Sequence, residues 1–195
     1  MRLGMNRAGT AHRAAWIIAL SVAPAACSIL PDIPDIPYVN PPPPAAVVTL
    51  TDGSGRTAGQ GVLVQQGGGV RMLLDVAGLP PGSKAVHFHE VGQCAGPSFN
   101  SAGRHFNPTQ AEHGTTNPRG PHAGDLPGID VDATGRGHLE VTVNRVSVKK
   151  GSGSLLDKDG SAIVVHERAD DGRTDPDGGS GARIACGVLI PAGRP

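Results

Sequence analysis

The chain has 195 residues with 17 basic and 17 acidic side chains, so its formal net charge is zero. This length predicts one domain with appendages rather than two domains. Removing the first 26 residues, which carry three arginines and no acid, leaves 14 basic against 17 acidic residues, a formal charge of −3. The sequence has no basic run interleaved with aromatic residues, which argues against nucleic acid as a partner.

Residues 1–26 predict an export signal peptide. Three arginines form a basic start, residues 14–20 form an apolar middle, and residues 23–26 form a small-residue end. The apolar run is too short to span a bilayer stably. This segment is therefore set aside when the fold is predicted.

Cys27 follows directly, at the position where a bacterial lipoprotein signal places its acylated cysteine, although Pro24 replaces the usual leucine. Ordinary cleavage after Ala25 or Ala26 is the alternative. Three cysteines leave one unpaired if two form a bridge, which favours lipidation of Cys27. Residues 27–45 are rich in proline and predict an extended tether, although a disordered N-terminus has the same composition.

From Ala46 onward, short apolar or alternating runs are separated by glycine-rich turns. The candidate strands are residues 46–52, 61–66, 70–76, 84–90, 129–131, 138–143, 162–167 and 183–190. About eight short antiparallel strands predict an all-β domain over residues 46–192, a Greek-key β-sandwich or flattened barrel. Two long irregular segments, 91–128 and 168–182, interrupt the strands and are predicted to be functional loops.

The segment HFNPTQAEHGTTNPRGPHAGD carries four metal-capable side chains, which are His105, His113, His122 and Asp125. A long structureless loop inside a compact domain is usually functional. Three imidazoles and one carboxylate suit zinc in a closed tetrahedral site. The alternative is four solvated polar side chains on a surface loop.

A second group of histidines lies on the predicted strands. His87 and His89 are two residues apart in KAVHFHE, so both side chains project from the same face. His166 ends the strand AIVVHE and could meet them from a neighbouring strand. A lone histidine there is more often structural, but six histidines on strand ends or in one loop favour a metal centre.

Together these segments resemble the copper/zinc superoxide dismutase family. The matching motifs follow one another with family-like spacing along the folded domain. They are HFHEVGQC at 87–94, SAGRHFNP at 101–108, EHG at 112–114, HAGDL at 122–126, VVHERADD at 164–171 and GARIACGV at 181–188. The resemblance implies a superoxide dismutase, an oxidoreductase that holds one copper and one zinc per chain.

The resemblance revises the zinc-only interpretation of His105, which would instead bridge the two ions as an imidazolate. The implied copper ligands are His87, His89, His105 and His166, and the implied zinc ligands are His105, His113, His122 and Asp125. When copper is reduced, His105 would leave it, take a proton and return that proton to the peroxide. Superoxide would be oxidised to oxygen and reduced to peroxide in turn.

The resemblance also assigns roles outside the two ligand sets. Cys94 and Cys186 would form an intrachain disulfide. Asp170 would link a copper histidine to a zinc histidine, although Asp171 is adjacent. Arg183 would guide and hold superoxide beside copper. Because the mature domain is not net positive, the attraction must be local to the pocket.

Two features depart from the family pattern. Arg104 precedes the bridging histidine where relatives often have proline or glycine, and it would either point to solvent or add positive potential. The loop 168–182 carries four acids, Asp170, Asp171, Asp175 and Asp177, which puts its ability to steer anions in doubt.

The expected location is the cell envelope, with membrane attachment through a lipid on Cys27, and the sequence allows a homodimer. The alternative function is an exported protein that buffers copper and zinc without useful turnover. Arg183 separates the two hypotheses, because a buffer has no need of it. A structural sandwich that uses only zinc would leave the paired strand histidines and His166 unexplained.

Overall fold

The structure is a computed structural model in which residues 46–193 are described. The predicted export signal at 1–26, the lipidation site at Cys27 and the tether lie outside the described residues. Within 46–193 no helix is long and apolar enough to cross a membrane. The regular elements are one short 3-10 turn, Asn100–Ala102, and ten strands: β1 (Ala46–Asp52), β2 (Thr57–Gln66), β3 (Gly69–Val76), β4 (Gly82–Lys84), β5 (Val86–His89), β6 (Ile129–Val131), β7 (Gly137–Val143), β8 (Ala162–His166), β9 (Arg183–Val188) and β10 (Ile190–Pro191).

The strands build two sheets that together enclose one core. The larger sheet has the order β5–β8–β9–β1–β2–β3–β7 with β10 paired to β1, and β4 pairs with β6 in the smaller one. All the pairs between these ten strands are antiparallel, and several neighbours are distant in sequence, as Greek-key connections require. Since β4 runs into β5 and β6 packs against β7, the small sheet links the ends of the large one. The predicted all-β flattened barrel is confirmed.

The inward-facing side chains of this barrel are aliphatic. Val48 and Leu50 of β1, Leu63 of β2, and Met72 and Leu74 of β3 are buried in one cluster. Their alternation with exposed or half-buried neighbours follows the period of two that a strand with one covered face requires. Apolar burial on the inner face therefore fixes which side chains point outward.

Two of the predicted strands are each divided in the structure. The run 84–90 is split at Ala85, because β4 pairs with β6 whereas β5 pairs with β8. Likewise, 183–190 is split at Leu189, whose N–H donates to Ser161 O at 3.0 Å. Apolar content alone could not locate these breaks, because the halves of 84–90 have different partner strands and both halves of 183–190 pair with β1. The second strand also begins earlier than predicted, at Thr57.

A second, smaller core covers the outer face of β8 and β9. Its buried members are Phe99, Ala102, Ala162, Val164 and Cys186, with Cys94 packed against them. The Cys94–Cys186 disulfide is present in the structure and joins residues 92 apart in sequence. The beginning of the long loop 91–128 is therefore fastened onto the outside of the barrel, next to the strands that carry the histidines.

Replacing both cysteines, as Cys94→Ser with Cys186→Ser, should lower the free energy of unfolding by about 4–5 kcal/mol, because the bond closes a loop with a sequence separation of 92. Guanidinium unfolding of the oxidised wild-type chain and of the double variant measures the difference. Cys27→Ser, which leaves the bond intact, is the control. An unchanged unfolding midpoint in the double variant would contradict the prediction.

Candidate metal centre

The metal-capable side chains meet at the free edge of β5. The Phe88 N–H donates to Gly124 O at 3.0 Å, and Phe88 O accepts from the Phe106 N–H at 2.8 Å. These bonds lay two segments of the loop 91–128 along the strand, so that His89 lies opposite His105 and His87 lies opposite Asp125. Phe88 points into the barrel core, and strand alternation therefore turns both strand histidines outward under the loop.

The first ligand group consists of four buried histidines whose ligand atoms lie within 4.8 Å of one another: His87, His89, His105 and His166. His89 Nε2 and His166 Nε2 are 3.4 Å apart. The opposite nitrogens of these two rings are held by the protein. His89 Nδ1 donates to Gly103 O at 3.0 Å, and His166 Nδ1 lies 3.0 Å from Ser180 Oγ. Each ring therefore turns Nε2 towards the group.

The second ligand group is built around the buried carboxylate of Asp125. Its Oδ1 atom lies 3.0 Å from His105 Nδ1, 3.1 Å from His113 Nδ1 and 3.3 Å from His122 Nδ1. Its Oδ2 atom accepts the backbone N–H groups of Gly114 and His122, each at 2.9 Å. Two backbone donors thus fix the carboxylate so that one oxygen faces three imidazoles.

Asp170 connects the two ligand groups through one histidine of each. Oδ2 lies 2.7 Å from His87 Nε2, and Oδ1 lies 3.0 Å from His113 Nε2. Asp171 instead accepts from Thr174 and from the Arg173 N–H within its own turn. The geometry places Asp170 rather than its neighbour against both histidines.

The arrangement of donors fits metal ions. Three buried ring nitrogens, His87 Nδ1, His105 Nε2 and His113 Nδ1, have no hydrogen-bond partner among the described residues. His113 Nδ1 is close to Asp125 but lacks hydrogen-bond geometry. Buried polar atoms are normally paired, and cations at the two groups would pair these three. Imidazole nitrogens whose far nitrogens bond to carboxylates or carbonyls are typical of metal ligands.

Arg183, the first residue of β9, lies at a surface opening that none of the ligand-group residues line. Its Nη1 donates to Phe99 O at 2.8 Å and its Nη2 donates to Gly103 O at 2.6 Å, so the guanidinium is fixed. It lines a surface cavity of about 360 Å³ together with Pro97, Ser98, Asn100, Gly181 and Ala182. Of the described residues lining this cavity, Arg183 alone is charged, which makes the local potential positive despite the acidic composition.

Arg104 is a rim residue. Its side chain is 87% exposed, and Nε lies 3.5 Å from Glu90 Oε1. Both residues line a different cavity of about 470 Å³ that reaches His105 and His122. Pairing with Glu90 offsets the charge of Arg104, so it adds little net positive potential there.

Sequence reasoning missed two side chains that touch the ligand groups. Ser180 is buried against His166, and Asp175 Oδ1 accepts the His113 N–H at 2.7 Å. Both lie on the loop 168–182, far from their partners in sequence. No local pattern marks them, because the contact depends on how this loop packs over the loop 91–128.

Burial dominates the ionisation of the first group. It lowers the pKa of His87 to about 4, against the opposing hydrogen bond to Asp170. It likewise lowers the pKa of His166 to about 3 and that of His89 to about 2, and neighbouring positive groups contribute. These imidazoles are therefore neutral near pH 7 and available as ligands.

The pKa of His113 is shifted in the opposite direction. Burial lowers its pKa, but the adjacent carboxylates of Asp125 and Asp170 outweigh burial and raise the pKa to about 10. Burial raises the pKa of the Asp125 and Asp170 carboxyls. Their histidine partners outweigh burial and hold both pKa values well below the usual range for aspartate. Without metal, a proton on His113 balances these carboxylates.

The metal-free protein should therefore be most stable near pH 6.5. Below this value the unfolded chain protonates His87, His89 and His166 while the folded chain does not, so stability falls as pH drops towards 4. Each such proton contributes about 1.4 kcal/mol per pH unit. Above it, the contribution of His113 is lost as pH rises towards 10. Guanidinium midpoints of the metal-free chain across this range measure the effect, and equal midpoints at pH 5 and pH 6.5 would contradict it.

Comparisons with known proteins agree with this geometry. The family profile described as copper/zinc superoxide dismutase (SODC) matches residues 57–189. A Cu-Zn superoxide dismutase of Aquifex aeolicus is 43% identical over 142 residues, which cover 72% of this chain and 84% of that protein. One of Caulobacter vibrioides is 43% identical over 148 residues, covering 74% and 85%.

A solved structure shows the same likeness in three dimensions. The crystal structure of a double mutant of a SOD-like protein from Bacillus subtilis matches with a TM-score of 0.72 and 43% identity, over 74% of this chain and 96% of that one. The range matched by the family profile contains both ligand groups, Arg183 and the disulfide. The chain therefore belongs to the copper/zinc superoxide dismutase family.

Proposed function

We propose that the protein is a superoxide dismutase, an oxidoreductase that converts superoxide to oxygen and hydrogen peroxide. The observation that carries this proposal is the pair of buried ligand groups that share His105. One copper per chain would be held by His87, His89, His105 and His166. One zinc per chain would be held by His105, His113, His122 and Asp125.

When bound, copper supplies the one-electron couple that oxidises one superoxide and reduces the next, while zinc has no redox chemistry and holds the shared imidazole. His105 is suited to carry the proton, because its Nδ1 faces Asp125 and its Nε2 faces the other histidines. Nε2 holds a proton between the two half-reactions and gives it to the peroxide. The surrounding histidines keep their neutral form and their orientation.

Arg183 binds the anionic substrate in this proposal. Its guanidinium is fixed by two backbone carbonyls and faces a cavity that among its described lining residues has no competing acid. Each of the four acids of the loop 168–182 accepts hydrogen bonds from the protein, and the charge of Asp177 also acts on Arg183. Asp170 and Asp175 bond to ligand histidines, whereas Asp171 and Asp177 bond to nearby backbone N–H groups.

The competing function is a copper/zinc buffer without useful turnover. A buffer would need the ligand groups but not a fixed cation at a separate opening, so the placement of Arg183 favours the enzyme. For the whole chain we further propose export by residues 1–26, lipidation at Cys27 and a tether over residues 27–45. The domain would then act at the cell envelope, anchored to the membrane, and a homodimer is compatible with it.

Metal content and superoxide dismutation, measured on the same purified chain, test the function. One copper and one zinc per chain with rapid turnover are expected. Arg183→Ile should lower turnover about tenfold or more with both metals retained, because steering and binding of the anion are lost. Arg183→Lys should recover part of the rate, since it keeps the charge but not the planar fork.

Arg136→Ile removes an equal charge from an exposed position just before β7, away from the residues lining the cavity of Arg183, and is the control for net charge. Full activity in Arg183→Ile would contradict the proposed role of this arginine in binding the anionic substrate. Both metals bound without turnover in the wild-type chain would favour the buffering protein. Zinc alone would mean that the first group does not hold copper.

Asp170 is proposed to orient a copper histidine and a zinc histidine together, and Gly178 leaves room for it. A Cβ atom on Gly178 would collide with Asp170 and lie 2.7 Å from His113 Nε2. The adjacent Gly179 offers a matched comparison. Its φ of +60° resembles the +66° of Gly178, but the nearest atom to its Cβ would be 3.8 Å away.

Gly178→Ala should weaken zinc binding about 10–100-fold, the usual effect of disturbing a carboxylate behind a metal ligand. Gly179→Ala carries the same backbone strain and should retain wild-type affinity. Competition with a chromogenic zinc chelator measures both affinities. Equal losses in the two variants would show that backbone strain, rather than contact with Asp170, is responsible.

A further inference from the structure

Each zinc-group histidine has a ring nitrogen that faces away from Asp125. For His122, the group that holds this nitrogen in place is the least evident. His113 Nε2 bonds to Asp170, and His105 uses both nitrogens within the two groups. His122 turns Nδ1 towards Asp125 and Nε2 away from it. The nearest carboxylate oxygen to that Nε2 is Asp175 Oδ1, at 3.8 Å. Both residues line the cavity of about 470 Å³ beside the ligand groups.

The same oxygen of Asp175 is anchored on a second zinc-group histidine. Oδ1 accepts the backbone N–H of His113 at 2.7 Å, a short hydrogen bond to a charged acceptor. The Asp175 side chain is 51% exposed, so the bond to His113 is what holds the carboxylate towards the site. One atom therefore lies against the backbone of one ligand and the ring of another.

We propose that Asp175 is a positioning residue for the zinc group, which fixes the backbone at His113 and orients the ring of His122. This inference rests on the proposed function, because it assumes that the second group holds zinc. Asp170 and Asp175 would then give the loop 168–182 two separate attachments to the zinc ligands. The two carboxylates contact different parts of His113, one its ring and the other its backbone.

The chemistry of a metal-bound imidazole favours an acceptor at this place, and a carboxylate is a strong one. A neutral imidazole that binds metal through Nδ1 carries its proton on Nε2, and a carboxylate facing that N–H fixes the tautomer and raises the basicity of the ligand. The separation of 3.8 Å is longer than a direct hydrogen bond, so the carboxylate acts on this N–H through its charge or through one bridging water. Asparagine would keep an acceptor for the His113 N–H but would lose the charge beside His122.

The loop provides a matched control. Asp177 also lies on the loop 168–182, and its Oδ1 accepts the Gly179 N–H at 3.1 Å. Asp177→Asn removes the same charge from the same loop, and the ligand groups of the described structure include no contact to this side chain. A difference between the two positions therefore reports on contact with the zinc group rather than on the net charge of the loop.

The experiment uses the full copper- and zinc-loaded chain. Zinc release to excess EDTA is followed at neutral pH with a chromogenic chelator, and copper content is measured before and after. Asp175→Ala should release zinc about 10–100-fold faster than the wild type while keeping its copper. Asp175→Asn should lie between the two, and Asp177→Asn should match the wild type. With cobalt(II) in the zinc site, the visible spectrum should shift in Asp175→Ala but not in Asp177→Asn.

Wild-type zinc release and an unchanged cobalt spectrum in Asp175→Ala would overturn the inference while leaving the proposed function intact. Equal loss of copper and zinc would also overturn it, because that result indicates general loosening of the loop. A wild-type chain that holds no zinc would instead overturn the proposed function, and this inference with it.

Discussion

The backbone pairing along β5 is the constraint on which the metal centre depends. Phe88 must point into the barrel core, and this places His87 and His89 together on the outer face. The same residue offers its N–H and C=O to the loop 91–128, which seats His105 and Asp125 beside those histidines. A slip of one residue would exchange core and ligand positions, so apolar burial and metal geometry specify a single register.

The four acids of the loop 168–182 show why the composition of a loop does not predict the electrostatic potential beside it. Their number suggests repulsion of anions, yet each carboxylate accepts hydrogen bonds from nearby donors. The cavity beside Arg183 is lined by small or neutral residues apart from the arginine itself. An acidic loop and a cationic opening therefore coexist within a few residues of each other.

Much of the fold and site could be predicted from the sequence, because two periodic signals are strong. Short apolar runs and the alternation of apolar with polar residues located most strands. The spacing of His87 and His89 placed both side chains on one face. The break at Ala85 was not predictable, since it depends on which strand pairs with each half. The double role of His105 also needed the family resemblance, because spacing does not reveal that both ring nitrogens face ligand groups. Asp175 and Ser180 required tertiary structure.

The disulfide has a consequence beyond the stability of the fold. Cys186 lies three residues after Arg183, and Cys94 begins the segment whose carbonyls at Phe99 and Gly103 hold the guanidinium. The bond therefore fixes both the arginine and its two acceptors in one covalent ring. In the dithiol form this covalent link would be absent, and strand pairing, apolar packing and two hydrogen bonds would hold the guanidinium in place. Under the proposed role of Arg183, thiol oxidation would therefore also constrain the geometry of the anion-binding group.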